Sequence, residues 1–282
     1  MEARARHVGA RGLVCGLMLL SLGATAAAQS LKLRNVELCN GVDRTSLDAR
    51  IGGCTALIDA GGHTPRLLAV AYNNRGNAHI SKGDYDRAIR DYDESIKIEP
   101  NNARAFNNRG VAYQKKGEHN RAIADFDEAI KLNPSYASAF TNRAEAYRNK
   151  GEHERAVRDY DEAIRLRPAS DVAWNGRCWN RAIAGELQAA LADCNEALRL
   201  GPNVAAAFDS RGLIHLKMDQ FESAIADYSS ALQFDPKLAS SFYGRGLAKL
   251  KKGDATGGNA DIVAARAIDA KIADDFARYG VR

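Results

Sequence analysis

Small and large apolar residues return in the same order every 34 residues along most of the chain. In residues 103–136 they follow helical spacing twice, from Ala105 to Tyr113 and again from Ala122 to Ile130. Gly117 separates the two stretches and Pro134 ends the second, as is typical of helix ends. The pattern predicts two helices joined by a tight turn and repeated as a stack of antiparallel hairpins.

Six copies of this unit are present, and they begin at Ala69, Ala103, Ala137, Asp171, Ala205 and Ala239. Positions 8, 20 and 27 of every copy hold a small residue, so two antiparallel helices can approach each other closely there. Position 4 always holds an aromatic residue: Tyr72, Phe106, Phe140, Trp174, Phe208 or Phe242. We expect these rings to fill the space between neighbouring hairpins.

The small, aromatic and proline positions together resemble the W-x2-L-G-x2-Y…A-x3-F…P signature of the tetratricopeptide repeat family over residues 69–272. Six copies in register make the resemblance specific, although the sixth copy is degenerate. The chain departs from the family at position 7, which is normally apolar and is arginine here in all six copies. The resemblance implies an all-α, right-handed superhelical solenoid whose first helices line a concave, protein-binding face.

The first 28 residues have the features of a signal peptide. Three arginines precede a short apolar run at 12–23, and Ala26-Ala27-Ala28 forms a cleavage site before Gln29. The run is shorter than the roughly 20 residues that span a bilayer. We therefore expect an exported protein, periplasmic or secreted, with no membrane span after cleavage.

The two ends of the mature chain are predicted to cap the repeats. Residues 29–68 form an N-terminal capping half-repeat, with a helix from Ser46 to Ala60 that covers the edge of the first hairpin. Residues 69–272 hold the six repeats, and 273–282 form a C-terminal cap segment. Ile272, Phe276 and Tyr279 lie on one face of a final short helix. This helix either covers the last hairpin or folds back into the groove.

Charge excludes one class of partner. The whole chain carries a net charge of +5, which falls to +3 when residues 1–28 and their three arginines and one glutamate are removed. Such a small excess, spread along the repeats, is not the concentrated basic patch of a nucleic-acid-binding protein. We therefore predict no nucleic-acid partner.

Four cysteines remain after residue 28, an even number in a compartment where disulfides form. Three pairings are possible. Cys178 and Cys194 occupy positions 8 and 24 of one repeat, which an antiparallel hairpin brings to the same height on facing helices. This favours a Cys178–Cys194 disulfide and leaves Cys39 and Cys54 for each other; the alternative is that the cysteines are small buried side chains.

Two series of charged residues recur at fixed positions of the repeats. Position 7 is always arginine, and position 23 is always aspartate: Asp91, Asp125, Asp159, Asp193, Asp227 or Asp261. Position 7 lies near the helix crossing, where an unpaired guanidinium is costly to bury. We interpret the two series as a structural Arg–Asp ladder, within a hairpin or between neighbours, rather than an anion-binding site.

Candidate ligand-binding residues lie on the first helix of each repeat. Asn74, Asn108 and Asn142 occupy position 6, and their amides can both donate and accept hydrogen bonds to a peptide backbone; alternatively, asparagine is only tolerated there. A predicted apolar patch follows in repeats 4–6: Trp179, Leu213, Leu216, Tyr243 and Leu247. We expect this patch to be solvent-exposed and to anchor hydrophobic side chains, unless the C-terminal segment covers it.

No catalytic motif is present: there is no G-x-S-x-G, no H-E-x-x-H and no phosphate-binding glycine loop. We predict no catalytic residues, no metal and no cofactor. The favoured function is a non-catalytic protein–protein interaction scaffold of the cell envelope that holds a peptide or partner segment. The alternative is a chaperone-like or regulatory adaptor for unfolded or exported clients. An enzyme with a new type of site is less favoured, because the periodic positions leave no room for one.

Overall fold

The computed structural model describes residues 29–42 and 45–281, and the predicted signal peptide lies outside these residues. All regular structure in the described ranges is helical. A first helix covers residues 29–40 (α1). The others are α2 (Leu47–Ala60), α3 (Pro65–Ser81), α4 (Tyr85–Ile98), α5 (Ala103–Lys115), α6 (His119–Leu132), α7 (Ala137–Asn149), α8 (His153–Leu166), α9 (Asp171–Ala184), α10 (Leu187–Leu200), α11 (Ala205–Lys217), α12 (Phe221–Phe234), α13 (Ala239–Lys251), α14 (Ala255–Ile268) and α15 (Ile272–Arg278).

The chain divides into two compact units, the first ending at Lys116 and the second beginning at Gly117. In unit 1, α2 packs on α3, α3 on α4 and α4 on α5. In unit 2, each helix from α6 to α14 packs on the next one in the chain. Both units are therefore stacks of helix hairpins in sequence order, which confirms the all-α, repeat-type fold class.

The turn inside each hairpin contains one residue with a left-handed backbone. Gly117 has a φ of +79°, as its position after the last apolar residue of α5 predicts. Glycine occupies this position in five repeats, and Asp219 takes its place in the fifth repeat with a φ of +58°. Aspartate is among the few other residues that adopt this conformation at low cost. The turn geometry is therefore the same in every repeat.

The two helices of a hairpin touch where position 8 faces position 24. In repeat 1 a Cβ added to Gly76 would lie 2.7 Å from the ring of Tyr92, and in repeat 5 one added to Gly212 would lie 2.9 Å from Tyr228. Both tyrosines are fully buried. A small residue at position 8 is therefore required by the ring at position 24.

Repeat 4 has cysteines at both of these positions. Cys178 and Cys194 form a disulfide with a Cα–Cα distance of 5.3 Å, so the prediction is confirmed. A second disulfide joins Cys39 of α1 to Cys54 of α2, as the remaining pair requires. The disulfide of repeat 4 occupies the space that a small residue and an aromatic ring fill in repeats 1 and 5.

The N-terminal segment is more regular than predicted. Helix α2 has the predicted bounds, and Ser46 caps it by accepting a hydrogen bond from the Ala49 amide. However, residues 29–40 form a helix that was not predicted, and the Cys39–Cys54 disulfide links it to α2. Helix α3 begins at Pro65, and the expected boundary between residues 68 and 69 therefore falls inside a helix.

The Arg–Asp ladder is present in repeats 3–6 of unit 2, and each arginine there has two roles. Arg143 contacts Asp159 of its own hairpin at 2.6 Å and Asp127 of the preceding hairpin at 2.6 Å. Arg177 repeats this arrangement with Asp193 and Asp161. In repeats 5 and 6 the acceptor in the preceding hairpin is neutral, Asn195 for Arg211 and Ser229 for Arg245. The ladder therefore links hairpins as well as closing them.

We predict that Arg143→Ala lowers the free energy of unfolding by about 1–3 kcal/mol, since it leaves the buried Asp159 without its cation. Burial already raises the pKa of Asp159, although the Arg143 guanidinium acts to lower it. Urea unfolding followed by circular dichroism measures the change. Arg165→Ala is the control, because Arg165 is exposed and forms an exposed ion pair with Glu162, three residues before it on the same helix. Equal losses in both variants would contradict a structural ladder.

Peptide mapping under non-reducing conditions tests the disulfides. We expect two cross-linked peptide pairs, Cys39 with Cys54 and Cys178 with Cys194, because each pair is buried and bonded within one hairpin. Each closes a loop for which the chain-entropy model gives about 3 kcal/mol. Four free thiols in protein recovered from an oxidising compartment would refute both assignments.

Candidate functional site: the inner face of unit 2

The first helices of repeats 3–6 form one continuous layer in unit 2. Helix α7 contacts α9, α9 contacts α11, and α11 contacts α13. We call the side of this layer on which the C-terminal helix α15 packs the inner face. The apolar residues predicted to bind a ligand lie on it: Trp179 on α9, Leu213 and Leu216 on α11, and Tyr243 and Leu247 on α13.

The short C-terminal helix α15 lies across this face. The ring of Tyr279 makes an edge contact with Trp179 at a centroid distance of 4.9 Å, and Phe276 packs against Tyr243 at 4.9 Å. The Nζ of Lys217 on α11 donates to the backbone carbonyl of Tyr279 at 2.9 Å. Residues from α15 and the next turn therefore reach the first helices of three successive repeats.

The expectation that the apolar patch is exposed was wrong. Leu213 and Leu216 are only 1% and 5% exposed, and they share a buried cluster with Ile272 and Phe276. Trp179, Tyr243 and Leu247 are partly buried against the same cluster. The alternative, in which the C-terminal segment folds back over the patch, is the one observed. The physical reason is that α15 carries a matching apolar stripe only a few residues after α14.

A buried acid lies within the same layer. Asp209 of α11 accepts hydrogen bonds from the hydroxyls of Ser241 at 2.5 Å and Ser240 at 3.0 Å, both on α13. Burial raises the pKa of Asp209 to about 6, although the two serine hydrogen bonds lower it. Burial raises the pKa of Tyr228 beside it and of Tyr279 on the covering segment, and the charge of Asp209 adds a smaller contribution to both shifts. Sequence reasoning missed this residue.

We predict that Asp209→Asn stabilises the protein above about pH 6 and leaves its stability at pH 4 unchanged. The pKa of Asp209 is raised in the folded state, so folding favours the protonated acid and stability falls as the pH rises from about 4 to 6. The amide removes this loss, which is about 1–3 kcal/mol at pH 8. Urea unfolding at several pH values measures it, with the exposed Asp59→Asn as control. A variant that is less stable at pH 8 would show that the ionised acid is favourable.

The predicted asparagine residues fall in different contacts. In unit 1, Asn74 donates to Asn40 of α1 at 3.0 Å. Asn108 donates to the side-chain oxygens of Asn73 and Asn77, both at 3.1 Å. Tyr92 donates to Asn77 as well, at 2.7 Å.

Asn142 lies on α7 of unit 2. In unit 1, by contrast, the amides of Asn74 and Asn108 already form hydrogen bonds within the protein, so a ligand backbone would have to replace these contacts. Asn73 and Asn77, at positions 5 and 9 of the first repeat, complete this hydrogen-bond network. These two asparagines were the sequence signal from which the network could have been predicted.

Among the described residues, no three His, Cys, Asp or Glu side chains meet in a group that could hold a metal ion. In the same part of the chain, none of the helices has the length and hydrophobicity needed to cross a membrane.

The fold and the inner face together are those of a repeat protein built from helical hairpins, of the class that serves as protein-interaction scaffolds. A family model described as TPR repeat matches residues 76–117 and 212–253, and one described as Tetratricopeptide repeat matches 103–136 and 137–170. The chain belongs to the tetratricopeptide repeat proteins.

Several known structures share the fold at low sequence identity. A tetratricopeptide repeat protein from Parabacteroides merdae aligns with a TM-score of 0.69 and 18% identity, over 89% of this chain and 99% of that one. The type IV pilus biogenesis factor PilW aligns with a TM-score of 0.65 and 17% identity, over 71% of this chain and 93% of that one.

YrrB, a TPR protein with an unusual peptide-binding site, aligns with a TM-score of 0.51 and 20% identity, over 66% of this chain and 97% of that one. No curated protein matches the chain significantly.

Proposed function

We propose that this protein is a non-catalytic scaffold of the cell envelope that holds a peptide or partner segment on the inner faces of its repeats. One observation carries the proposal: the inner face of unit 2 already binds a helical segment, contributed by the chain itself, through Phe276 and Tyr279. A surface that packs two aromatic rings and an aliphatic side chain of α15 has the shape and chemistry to hold a similar segment of another protein.

The proposed binding residues fall into two sets. In unit 2 the apolar anchors are Trp179, Leu213, Leu216, Tyr243 and Leu247, which line the cluster beneath α15. The amide sites are Asn74 and Asn108 in unit 1 and Asn142 in unit 2. An asparagine side chain can donate and accept at once, so these residues suit the backbone of an extended peptide of any sequence.

Placement in the cell envelope has three supports. Residues 1–28 have the composition of a signal peptide. All four cysteines of the mature chain form disulfides, which are typical of proteins in oxidising compartments. The fold is also shared with PilW, a pilus biogenesis factor. YrrB, which shares the fold too and has a peptide-binding site, supports the peptide-holding role.

Export predicts a definite N-terminus. Expressed in a bacterium with its full sequence, the protein should be recovered from the periplasm or the medium beginning at Gln29, because cleavage follows Ala28. Intact mass measurement under non-reducing conditions checks both the cleavage and the loss of four hydrogens to two disulfides. A chain that keeps Met1 and all five cysteine thiols would refute the envelope location.

Photo-crosslinking in living cells tests the binding face. A benzophenone amino acid at Arg148, on the first helix α7, should give one or a few discrete cross-linked products, because that helix belongs to the inner-face layer. The same group at the exposed Arg165 of α8 is the control and should give none. A broad smear of products at Arg148 would favour the chaperone-like adaptor, and equal labelling at both positions would contradict an inner-face site.

A further inference from the structure

We propose that the inner face of unit 2 is a docking site for a short amphipathic helix with an aliphatic–x3–aromatic–x2–tyrosine stripe. Helix α15 occupies this site within the chain and is displaced when a partner helix binds. The proposal rests on the proposed function and adds to it the chemistry of the partner segment. The evidence is the way in which α15 is held.

Helix α15 does not sustain itself. It is seven residues long, and Lys271 at its N-cap makes no side-chain capping bond. Isolated helices shorter than about 12 residues are marginal in water. The order of this segment therefore comes from the surface beneath it, as is the case for a bound peptide.

Its buried face is a single stripe. Ile272, Phe276 and Tyr279 lie at i, i+4 and i+7, the spacing of one helix face. Ile272 and Phe276 are 4% and 3% exposed, while Asp274 and Arg278 on the other side are exposed. A different helix with the same stripe could replace α15 without changing a buried contact. This is the helix-in-groove mode of peptide recognition.

The polar anchor of the site recognises backbone rather than sequence. Lys217 directs its ammonium at two carbonyls, that of Ala182 on α9 at 2.7 Å and that of Tyr279 at 2.9 Å. Tyr279 is the C-cap of α15. A cation at this position satisfies the terminal carbonyls of any docked helix. Lys217 thereby sets the end point and direction of the bound helix, and the rings of Trp179 and Tyr243 select its side chains.

Attachment of α15 by only three residues, 269–271, makes it a strong competitor. Short linkers give effective concentrations in the millimolar range or above. If α15 itself binds the open site with an intrinsic Kd of about 10 μM, a free helix would therefore bind the closed protein roughly a hundredfold more weakly than the open one. A natural partner must overcome this loss of affinity, either by binding the site more tightly than α15 or by making a second contact elsewhere on the protein.

The test uses the full mature chain and a synthetic peptide of residues 270–282. In the opened variant, Phe276→Ala with Tyr279→Ala, the cis segment loses both rings, so we expect the labelled peptide to bind with micromolar Kd by fluorescence anisotropy. Wild type should bind at least about thirtyfold more weakly. The matched control, Asp274→Ala with Arg278→Ala, changes two exposed residues of α15 and should behave as wild type.

Changes in the peptide and the anchor check the assigned chemistry. A peptide with Phe276→Ala should lose at least tenfold in affinity for the opened variant, while one with Arg278→Ala should not. Adding Lys217→Met to the opened variant should also weaken binding several-fold. A folded opened variant that does not bind the peptide, or binds all peptides equally, would overturn the proposal.

Hydrogen exchange on the wild type gives an independent decision if the opened variant is unfolded. An exchangeable occupant opens without global unfolding, so the amides of α15 should exchange faster than those of α13. A change that stabilises α13 should leave the exchange rate of the α15 amides unaltered. Equal protection of α15 and α13 would show that α15 is a core element and would refute displacement. A wild-type dimer that is lost in the opened variant would mean that the occupant comes from a second copy, and would refute the cis assignment.

Failure here is distinguishable from failure of the proposed function. Discrete in-cell cross-links from Arg148 together with no peptide binding would keep the scaffold role and reject the helix chemistry. Peptide binding without any in-cell cross-link would keep the helix chemistry and reject the scaffold role.

Discussion

Each hairpin depends on one close approach, between position 8 of its first helix and position 24 of its second. Opposite the buried rings of Tyr92 and Tyr228, a Cβ added to Gly76 or Gly212 would lie within 3 Å of the ring. Alanine is the residue opposite the buried Tyr160 in repeat 3, so position 8 stays small in each case. Repeat 4 satisfies the same constraint with a disulfide between Cys178 and Cys194. The bond fits because it replaces a ring-against-glycine contact at the same height, and it keeps the helices at a distance that the packing already requires.

The arginine beside this contact follows from it. Once the two helices are this close, the position-7 guanidinium can reach little water and needs acceptors from the protein. It finds one aspartate in its own hairpin and a second acceptor in the hairpin before it. The second acceptor changes from carboxylate to amide to hydroxyl along unit 2, from Asp127 to Asn195 to Ser229. The first never changes, so closing the hairpin is the essential role and linking to the neighbour tolerates weaker partners.

Features that depend on one period of the sequence were predictable, and features that depend on distant residues were not. The hairpins, the turn glycines and the Cys178–Cys194 bond all follow from positions inside a single repeat. Helix α1 has no second copy to compare with, and it was missed. Position 5 is polar in five of the six repeats and therefore suggests solvent. The structure instead buries Asp209 against two serines of the next repeat, a contact that no single repeat reveals.

The placement of α15 is the clearest case of this limit, because its stripe defines a buried side but not the surface that receives it. Two surfaces were available, the end of the last hairpin and the inner face. The inner face is favoured because Trp179, Leu213 and Tyr243 together offer an apolar area that is costly to leave in water and prone to self-association when exposed. A three-residue connection covers it at little cost in loop entropy. The same apolar surface therefore explains both why unit 2 can bind a helix and why its own chain covers it in the absence of a partner.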